Sequence, residues 1–425
     1  MADPVLEFEV VIIGAGPAGL AAACAAAESG RRIAVLDETP WLGGQIWRGQ
    51  QTHPSSPVAK SWFERLKRSG ARVMSGVTVI GFPAEHLLLA ECNTGPLQVK
   101  WERLILATGA RELFLPFPGW TLPGVVGPGG LQTLIKNGWP VSGRRAVVAG
   151  SGPLLLVIAN TLRKGGAHVA RIVEQAAQKR VFRFAFRLSA RPAKLWQAAN
   201  LRLRLLGTPY DFGEWPIRAQ GTDVVHSVTL TDGNKTRTEE CDLLACGFGL
   251  VPNVELALAL GCKLNGDFVQ VDDHQTTTAP EVFCAGEPTG IGGADCALVE
   301  GQIAGYAAAG QKAKAEALLP RRASWHRFRT ALAEAFAVRA ELKTVATEDT
   351  LLCRCEDVAL GRVRRFGSWR EAKLQSRCGM GACQGRICGA ASKFLLGWGM
   401  ESVRPPLLPA RVESLIAGDS TTNGH

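Results

Sequence analysis

The sequence predicts an α/β fold of two Rossmann-like units followed by a small helical domain at the C-terminal end. Three observations predict it. The stretches "EVVIIGAGPAGLAAACAAAESGRRIAVLDE" and "RRAVVAGSGPLLLVIANTLRKGGAHVARIVE" each read as strand, glycine turn, helix and strand. Between Leu351 and Ser392 lie Cys353, Cys355, Cys378, Cys383 and Cys388, five of the twelve cysteines of a 425-residue chain. That length, with 46% hydrophobic residues, allows two or three domains with sizeable cores.

In the first unit the β-branched run Val10 to Ile13 predicts a buried strand, and alanine-rich Leu20 to Glu28 predicts a helix. Ile33 to Leu36 form the second strand, ending at Asp37. Gly14, Gly16 and Gly19 stand in G-x-G-x-x-G spacing between strand and helix. The first permits the turn, the second lets backbone reach a pyrophosphate, and the third lets helix and strand pack closely. The helix N-terminus then turns its positive dipole end to the phosphates. Asp37, with Glu38 as second choice, supplies the acid expected to bind a ribose hydroxyl.

The second unit repeats the pattern with Gly150 and Gly152, and Glu174 closes its second strand. Leu155 stands where the third glycine belongs. A side chain there is expected to push helix and strand apart or to shift the turn. The sequence therefore leaves two readings open, a working NAD or ATP site and a structural remnant of one. Between the units, "LILATGARELFLPFPGW" is a buried strand ending at Thr108-Gly109-Ala110. Farther on come a hairpin turned at Asp232-Gly233 and a strand from Val282 to Ala285 that ends in Gly286-Glu287. A helix is expected to begin between Gly292 and Ala297, and "WHRFRTALAEAFAVRAEL" predicts a bridging helix.

Thiolates in fours suit tetrahedral zinc or an iron–sulfur cluster. Cys353-x-Cys355 and Cys378-x4-Cys383 supply four, and C-x-C is tight for zinc. Gly379, Gly381 and Gly385 would let backbone amides point at sulfur. These features favour [2Fe-2S], with zinc or an empty site as the alternative. Cys383 with Cys388 is the alternative second pair, leaving Cys378 spare. Cys241 and Cys246 read as one strand, which sets them roughly 16 Å apart on opposite faces, too far for a disulfide. Those two, with Cys24, Cys92, Cys262, Cys284 and Cys296, read as small packing groups.

The formal charge is +10, but Lys and Arg are spread along the chain and no like-charged block marks a nucleic-acid arm. "QKRVFRFAFRLSARPAKLWQAANLRLRLLG" alternates bases with aromatics and leucines. It reads as a core-and-surface helical cover on the second unit, with a partner-subunit contact as alternative. The acidic start "MADPVLEFE" lacks the bases of a signal peptide, and no run of about 18 apolar residues predicts a membrane span. A cytoplasmic chain is expected, with peripheral contact at the inner membrane left open. His274, in "VDDHQTTT", reads as a polar loop residue, and no catalytic acid–base or nucleophile set stands out.

Gly14-Ala15-Gly16-Pro17-Ala18-Gly19, Ala107-Thr108-Gly109 and Val282-Phe283-Cys284-Ala285-Gly286-Glu287 resemble the pyridine nucleotide-disulfide oxidoreductase superfamily over roughly residues 8 to 310. That resemblance implies a disulfide-oxidoreductase-type fold with FAD on the first unit. It places Gly14, Gly16, Pro17, Ala18, Gly19, Gly43, Gly44, Gln45, Thr108, Gly109 and Gly286 beside the cofactor. It also puts Glu287 near the ribityl or pyrophosphate, where the superfamily more often has Asp. The close cysteine pair of disulfide reductases is missing.

"CRCE" at Cys353 and "RCGMGACQGRICG" from Arg377 resemble the small helical [2Fe-2S] domain of bacterioferritin-associated ferredoxin. The match is closer to the version appended to one flavoprotein group, whose closing motif is similar to "RPPLLPA". That group includes the larger subunit of hydrogen cyanide synthase, opine oxidase A subunits and the α subunits of dye-linked proline and D-hydroxyproline dehydrogenases. The implied domains are 1–125 with 250–310 for FAD, 126–249 for the second nucleotide unit and 311–345 as bridge. The [2Fe-2S] domain would span 346–412, with a flexible tail from 413 to 425.

The resemblance implies an electron-transfer subunit. An amine-oxidising FAD partner of the D-amino-acid-oxidase or glycine-oxidase type would oxidise an amine or imino acid. A further partner would be a small ferredoxin-like protein. Electrons would leave through FAD and [2Fe-2S] to a quinone or dye. Two rivals remain: a stand-alone NAD(P)H-dependent reductase and a non-enzymatic redox sensor. Glu174 would repel a 2′-phosphate, although Arg171 and Lys179 lie near it in sequence.

Overall fold

The structure is a computed structural model that describes residues 5–52, 56–399 and 403–419. The chain divides into two compact units, one of residues 1–111, 252–329 and 402–425, the other of residues 112–251 and 330–401.

The first unit is built on a seven-stranded sheet. Strands Arg72–Ser75, Ile33–Asp37, Leu6–Ile13 and Gly95–Leu106 run parallel, joined by Val282–Cys284 on the far side of Gly95–Leu106. The antiparallel strands Leu87–Cys92 and Thr78–Ala84 complete it. Helix Pro17–Ala27 is almost entirely buried, because a parallel sheet covered on both faces leaves its crossover helix no wet side. It packs on helix Gly293–Ala308, and small residues set how closely. A Cβ on Gly301 would lie 2.1 Å from the Ala18 carbonyl oxygen, so these two backbones all but touch. That approach brings Gly286 to the start of helix Pro17–Ala27, where its own Cβ would meet Ala18 Cβ at 2.9 Å.

The segment expected to be a flexible tail is ordered as helix Val412–Asp419, and residues 420–425 lie outside the described residues. Arg411 Nε donates to Glu91 Oε1 at 2.6 Å, Ser414 Oγ donates to the same oxygen at 2.9 Å, and Gln98 Nε2 donates to the Ala417 carbonyl at 2.7 Å. The polar tail sequence hid these contacts, since each partner lies over 300 residues away.

The second unit has a five-stranded parallel sheet in the order Tyr210–Phe212, His168–Glu174, Arg145–Gly150, Leu243–Gly247 and Val125–Val126. The hairpin at Asp232-Gly233 forms as expected, joining Ser227–Thr231 to Thr236–Glu240. Cys246 lies on its strand; Cys241 precedes it, and both are buried. The cysteine-rich segment forms a two-stranded ribbon and short helices around Trp369, with its own core of Leu352, Val358, Leu360, Val363 and Ala372. It belongs to this same compact unit rather than standing alone, and helix Leu319–Ala335 precedes it. Among the described residues no helix is long and apolar enough to cross a membrane.

Candidate functional site

The glycine turn of the first unit has the shape its spacing requires. Gly14 has φ +104°, and a Cβ on it would sit 2.3 Å from the Ala107 carbonyl oxygen. A Cβ on Gly19 would sit 1.8 Å from the Gly14 oxygen, so helix and strand touch there. Gly16 is open by contrast, since a Cβ would meet only Gly44 Cα at 3.9 Å. That opening, above the N-terminus of helix Pro17–Ala27, is the cradle a pyrophosphate needs. Asp37 Oδ2 accepts from Ala15 N at 2.5 Å, and its Oδ1 accepts from Thr39 N and Oγ1. Gly43 N donates to the Ala15 carbonyl at 2.8 Å, holding the Gly43-Gly44 loop beside the turn. Glu38 and Gln45 point to solvent. Thr108 and Asn253 exchange hydrogen bonds of 2.7 and 2.8 Å, which fixes the end of the strand before Gly109.

Gly286 and Glu287 reach this turn on a support the sequence did not signal. Glu300 is fully buried in helix Gly293–Ala308, and its Oε2 accepts from Gly286 N at 2.9 Å and Thr289 Oγ1 at 3.0 Å. Its Oε1 lies 2.8 Å from His326 Nε2 and 3.4 Å from Arg329 Nη1, with Cys296 Sγ at 3.6 Å. Arg329 already supplies the cation here, so Cys296, Glu300 and His326 form a brace for the turn rather than a metal site. Burial, with Glu300 adding repulsion, pushes the Glu287 carboxyl up to about 7. The only hint in the sequence was an acid in an Ala-, Gly- and Leu-rich helix. His274 lies in a turn closed by Asp272, as a loop histidine should.

The second glycine turn differs. Helix Pro17–Ala27 starts directly after Gly16, whereas helix Leu154–Lys164 starts two residues after Gly152, whose φ is +96°. Leu155 is fully buried among Val148, Ile158 and Leu162, so a shifted turn accommodates its side chain. The acid is also committed. Glu174 is 0% exposed, and its two oxygens accept from Gly152 N at 2.7 Å and Ala176 N at 2.8 Å. Burial pushes its carboxyl up to about 7 against those two hydrogen bonds.

A strap from the same unit crosses this turn. Ser151 Oγ donates to the Phe336 carbonyl at 3.0 Å, and Gln175 Nε2 donates to Ser151 Oγ and the Ala337 carbonyl. Arg339 N donates to Gln175 Oε1, and the Arg339 guanidinium stacks over Trp215. Arg171, the cation nearest in sequence, is paired with Asp211 at 2.5 Å and Glu239 at 2.8 Å.

Three of the five cysteines of the C-terminal segment converge. Cys353 ends strand Leu351–Cys353, Cys378 follows helix Trp369–Ser376, and Cys388 opens helix Cys388–Leu396. The Sγ atoms of these three buried residues lie within 4.8 Å of one another. Cys355 and Cys383, nearer the surface, hydrogen-bond to each other. The thiols of Cys378 and Cys388 hydrogen-bond to Cys353 and hold it far below the ordinary thiol range; the Gly379 amide, 3.4 Å from its sulfur, adds to this. Gly379 has φ +81°, and a Cβ there would lie 2.7 Å from the Trp369 ring. Arg377 and Glu356 pair at 2.8 Å and tie the two cysteine loops together. Cys388, the alternative ligand in the sequence, thus lies within 4.8 Å of Cys353, as Cys378 does. The donor set is compatible with an iron–sulfur centre.

Comparisons with known proteins agree with this geometry. Residues 8–313 match the pyridine nucleotide-disulphide oxidoreductase family. The chain is 31% identical to the HcnB component of hydrogen cyanide synthase from Pseudomonas protegens, with 99% of this chain and 100% of that one covered. It is 32% identical to the opine oxidase A subunit of Rhizobium meliloti, covering 95% and 97%. Among solved structures, the L-proline dehydrogenase from P. horikoshii has the same fold at 19% identity, with a TM-score of 0.69 over 97% of this chain and 80% of that one.

Proposed function

This chain belongs to the pyridine nucleotide-disulphide oxidoreductase family and is an FAD-dependent oxidoreductase, and from that premise we propose that it is the relay subunit of a heteromeric amine or imino acid dehydrogenase. The D-hydroxyproline, proline, opine and glycine types are the substrate classes in view. An amine-oxidising flavoprotein partner would deliver electrons, a small ferredoxin-like protein would assist, and a quinone or dye would accept. The observation that carries the reading is the convergence of Cys353, Cys378 and Cys388, with Cys355 and Cys383 on the same segment, in the chain that also holds an open dinucleotide cradle.

The residues divide the work. Gly14, Gly16 and Gly19 with Asp37 would hold the FAD pyrophosphate and ribose, Gly43 and Gly44 the neighbouring wall, and Thr108, Gly109, Gly286 and Glu287 the ribityl side. Four thiols from Cys353, Cys355, Cys378, Cys383 and Cys388 would hold [2Fe-2S], with Gly379 donating to sulfur. When bound, FAD exchanges electrons in pairs or singly and the cluster singly, which suits transfer between a two-electron donor and a one-electron chain. Pro17 and Ala18 open the helix that faces the phosphates, and Glu300 keeps Gly286 in place beneath them.

The second unit is read as structural. Gly150, Gly152 and Glu174 are engaged with the unit's own chain, and the Phe336–Arg339 strap occupies the turn. This weighs against NAD, NADP or ATP binding, and so against a stand-alone reductase. Flavin extraction, iron and sulfide analysis and electron paramagnetic resonance of the anaerobically purified chain test the proposal. Expected are one FAD, about two irons and two sulfides per chain, and a reduced-cluster signal after dithionite. Zinc in place of iron, or FAD with no metal, would sink the relay.

A further inference from the structure

A [2Fe-2S] centre takes four thiolates, and the C-terminal segment supplies five. One thiol is therefore left over once the centre is held. Cys353, Cys355 and Cys383 belong to either ligand set, so the extra thiol is that of Cys378 or Cys388. A cysteine that only filled space could lie anywhere in the small core. This one lies against a ligand: the sulfurs of Cys353, Cys378 and Cys388 are within 4.8 Å of one another, in residues 1%, 0% and 1% exposed. Side-chain rotation and a small backbone shift bring sulfurs so placed to the bonding distance of about 2.05 Å. Gly379, Gly381 and Gly385 lie between Cys378 and Cys388, and backbone without side chains shifts most easily.

Either ligand set needs Cys353, so its loss ends the site. An oxidant that strips the centre sets the Cys353 thiolate free. Left alone, that thiolate climbs from sulfenic to sulfinic acid, from which ordinary reductants do not bring it back. A thiol already beside it diverts the path. The thiolate attacks one oxygen of hydrogen peroxide, the O–O bond breaks, and sulfenic acid forms with hydroxide, which takes up a proton to give water. The neighbouring thiol then attacks that sulfur; the S–O bond breaks, the S–S bond forms, and a second water leaves. Two thiols have given up two electrons and two protons, and one peroxide has become two waters. Cys355 and Cys383, hydrogen-bonded to each other nearer the surface, are the competing pair.

We propose that whichever of Cys378 and Cys388 the centre leaves free is a redox modification site, which forms a reversible disulfide with Cys353 when the centre is oxidised away and so keeps Cys353 available for reassembly. The inference rests on the iron–sulfur assignment of the relay reading. The disulfide itself needs only the thiols, so the two fail separately.

The test takes the loaded full-length chain, treats it with hydrogen peroxide until its cluster absorption is gone, then alkylates it in denaturant and digests it for mass spectrometry. A peptide linking Cys353 to Cys378 or to Cys388, released by dithiothreitol, is expected. After that reduction, ferrous iron and sulfide should restore the absorption. Cys378→Ser and Cys388→Ser pass through the same cycle. The variant that holds the centre at the start should regain at least about threefold less of it than the wild type, with Cys353 recovered as sulfinic acid. Cys353 linked to neither thiol overturns the proposal, as does a Cys378–Cys388 or Cys355–Cys383 link alone. Equal recovery in the centre-holding variant overturns it too. The wild-type map stands whether or not the variants fold. Iron and sulfide measured before peroxide report on the relay: a chain without them fails that reading, while its Cys353 linkage is mapped by the same digest.

Discussion

At the scale of single residues, the chemistry depends on which thiols are indispensable. Cys353, Cys355 and Cys383 belong to both four-ligand sets that the sequence allows, while Cys378 and Cys388 compete for the last place within 4.8 Å of Cys353. Single Cys→Ser replacements should therefore abolish the iron–sulfur absorption at Cys353, Cys355 and Cys383, and at one of Cys378 and Cys388 but not the other. Retention of the centre in the Cys353→Ser variant would contradict the assignment. Glu174 gives a second residue-scale test. Its carboxyl is raised to about 7 in the folded chain from an ordinary 4.5. Between those values the native state keeps a proton that the unfolded chain has lost, so stability falls as pH rises through that window. The loss is on the order of 3 kcal/mol by pH 7.5. Glu287 adds a slope of the same sign, so the comparison is between the wild type and Glu174→Gln. Denaturant midpoints should fall less steeply from pH 5 to 7.5 in the variant, and an unchanged slope would mean that Glu174 titrates normally.

At the scale of elements, the parts legible in the sequence are those where local pattern and tertiary role coincide. Val10 to Ile13, the alanine run from Leu20 and Asp37 form the predicted strand, helix and strand end because β-branched burial and glycine spacing are local signals. Leu155 signalled either a helix pushed off its strand or a shifted turn, and the helix begins one residue later after its glycine in the second unit than in the first. The Phe336–Arg339 strap and Glu300 were not legible, since each acts through hydrogen bonds to groups that only the fold brings near. Helix Val412–Asp419 was missed for the same reason. Its bonds to Glu91 and Gln98 make it part of the first unit, so truncation before Arg411 should lower that unit's melting temperature by roughly 5 °C. Calorimetry of the truncated chain checks this, and an unchanged transition would return the segment to the status of a tail.

At the scale of the whole molecule, the family membership, the open first cradle, the strapped second turn and the three converging thiols support the proposed relay, in which electrons enter from a partner rather than from a nicotinamide. Under the proposed relay, substrate choice would lie in that partner. The most direct measurement is the visible spectrum of the anaerobic, cofactor-loaded chain, first titrated with NADH and then mixed with its amine-oxidising partner and an amine or imino acid. A relay predicts flavin bands untouched by NADH and bleached by the amine only once the partner is present. Prompt bleaching by NADH alone would contradict it and make the chain a reductase in its own right.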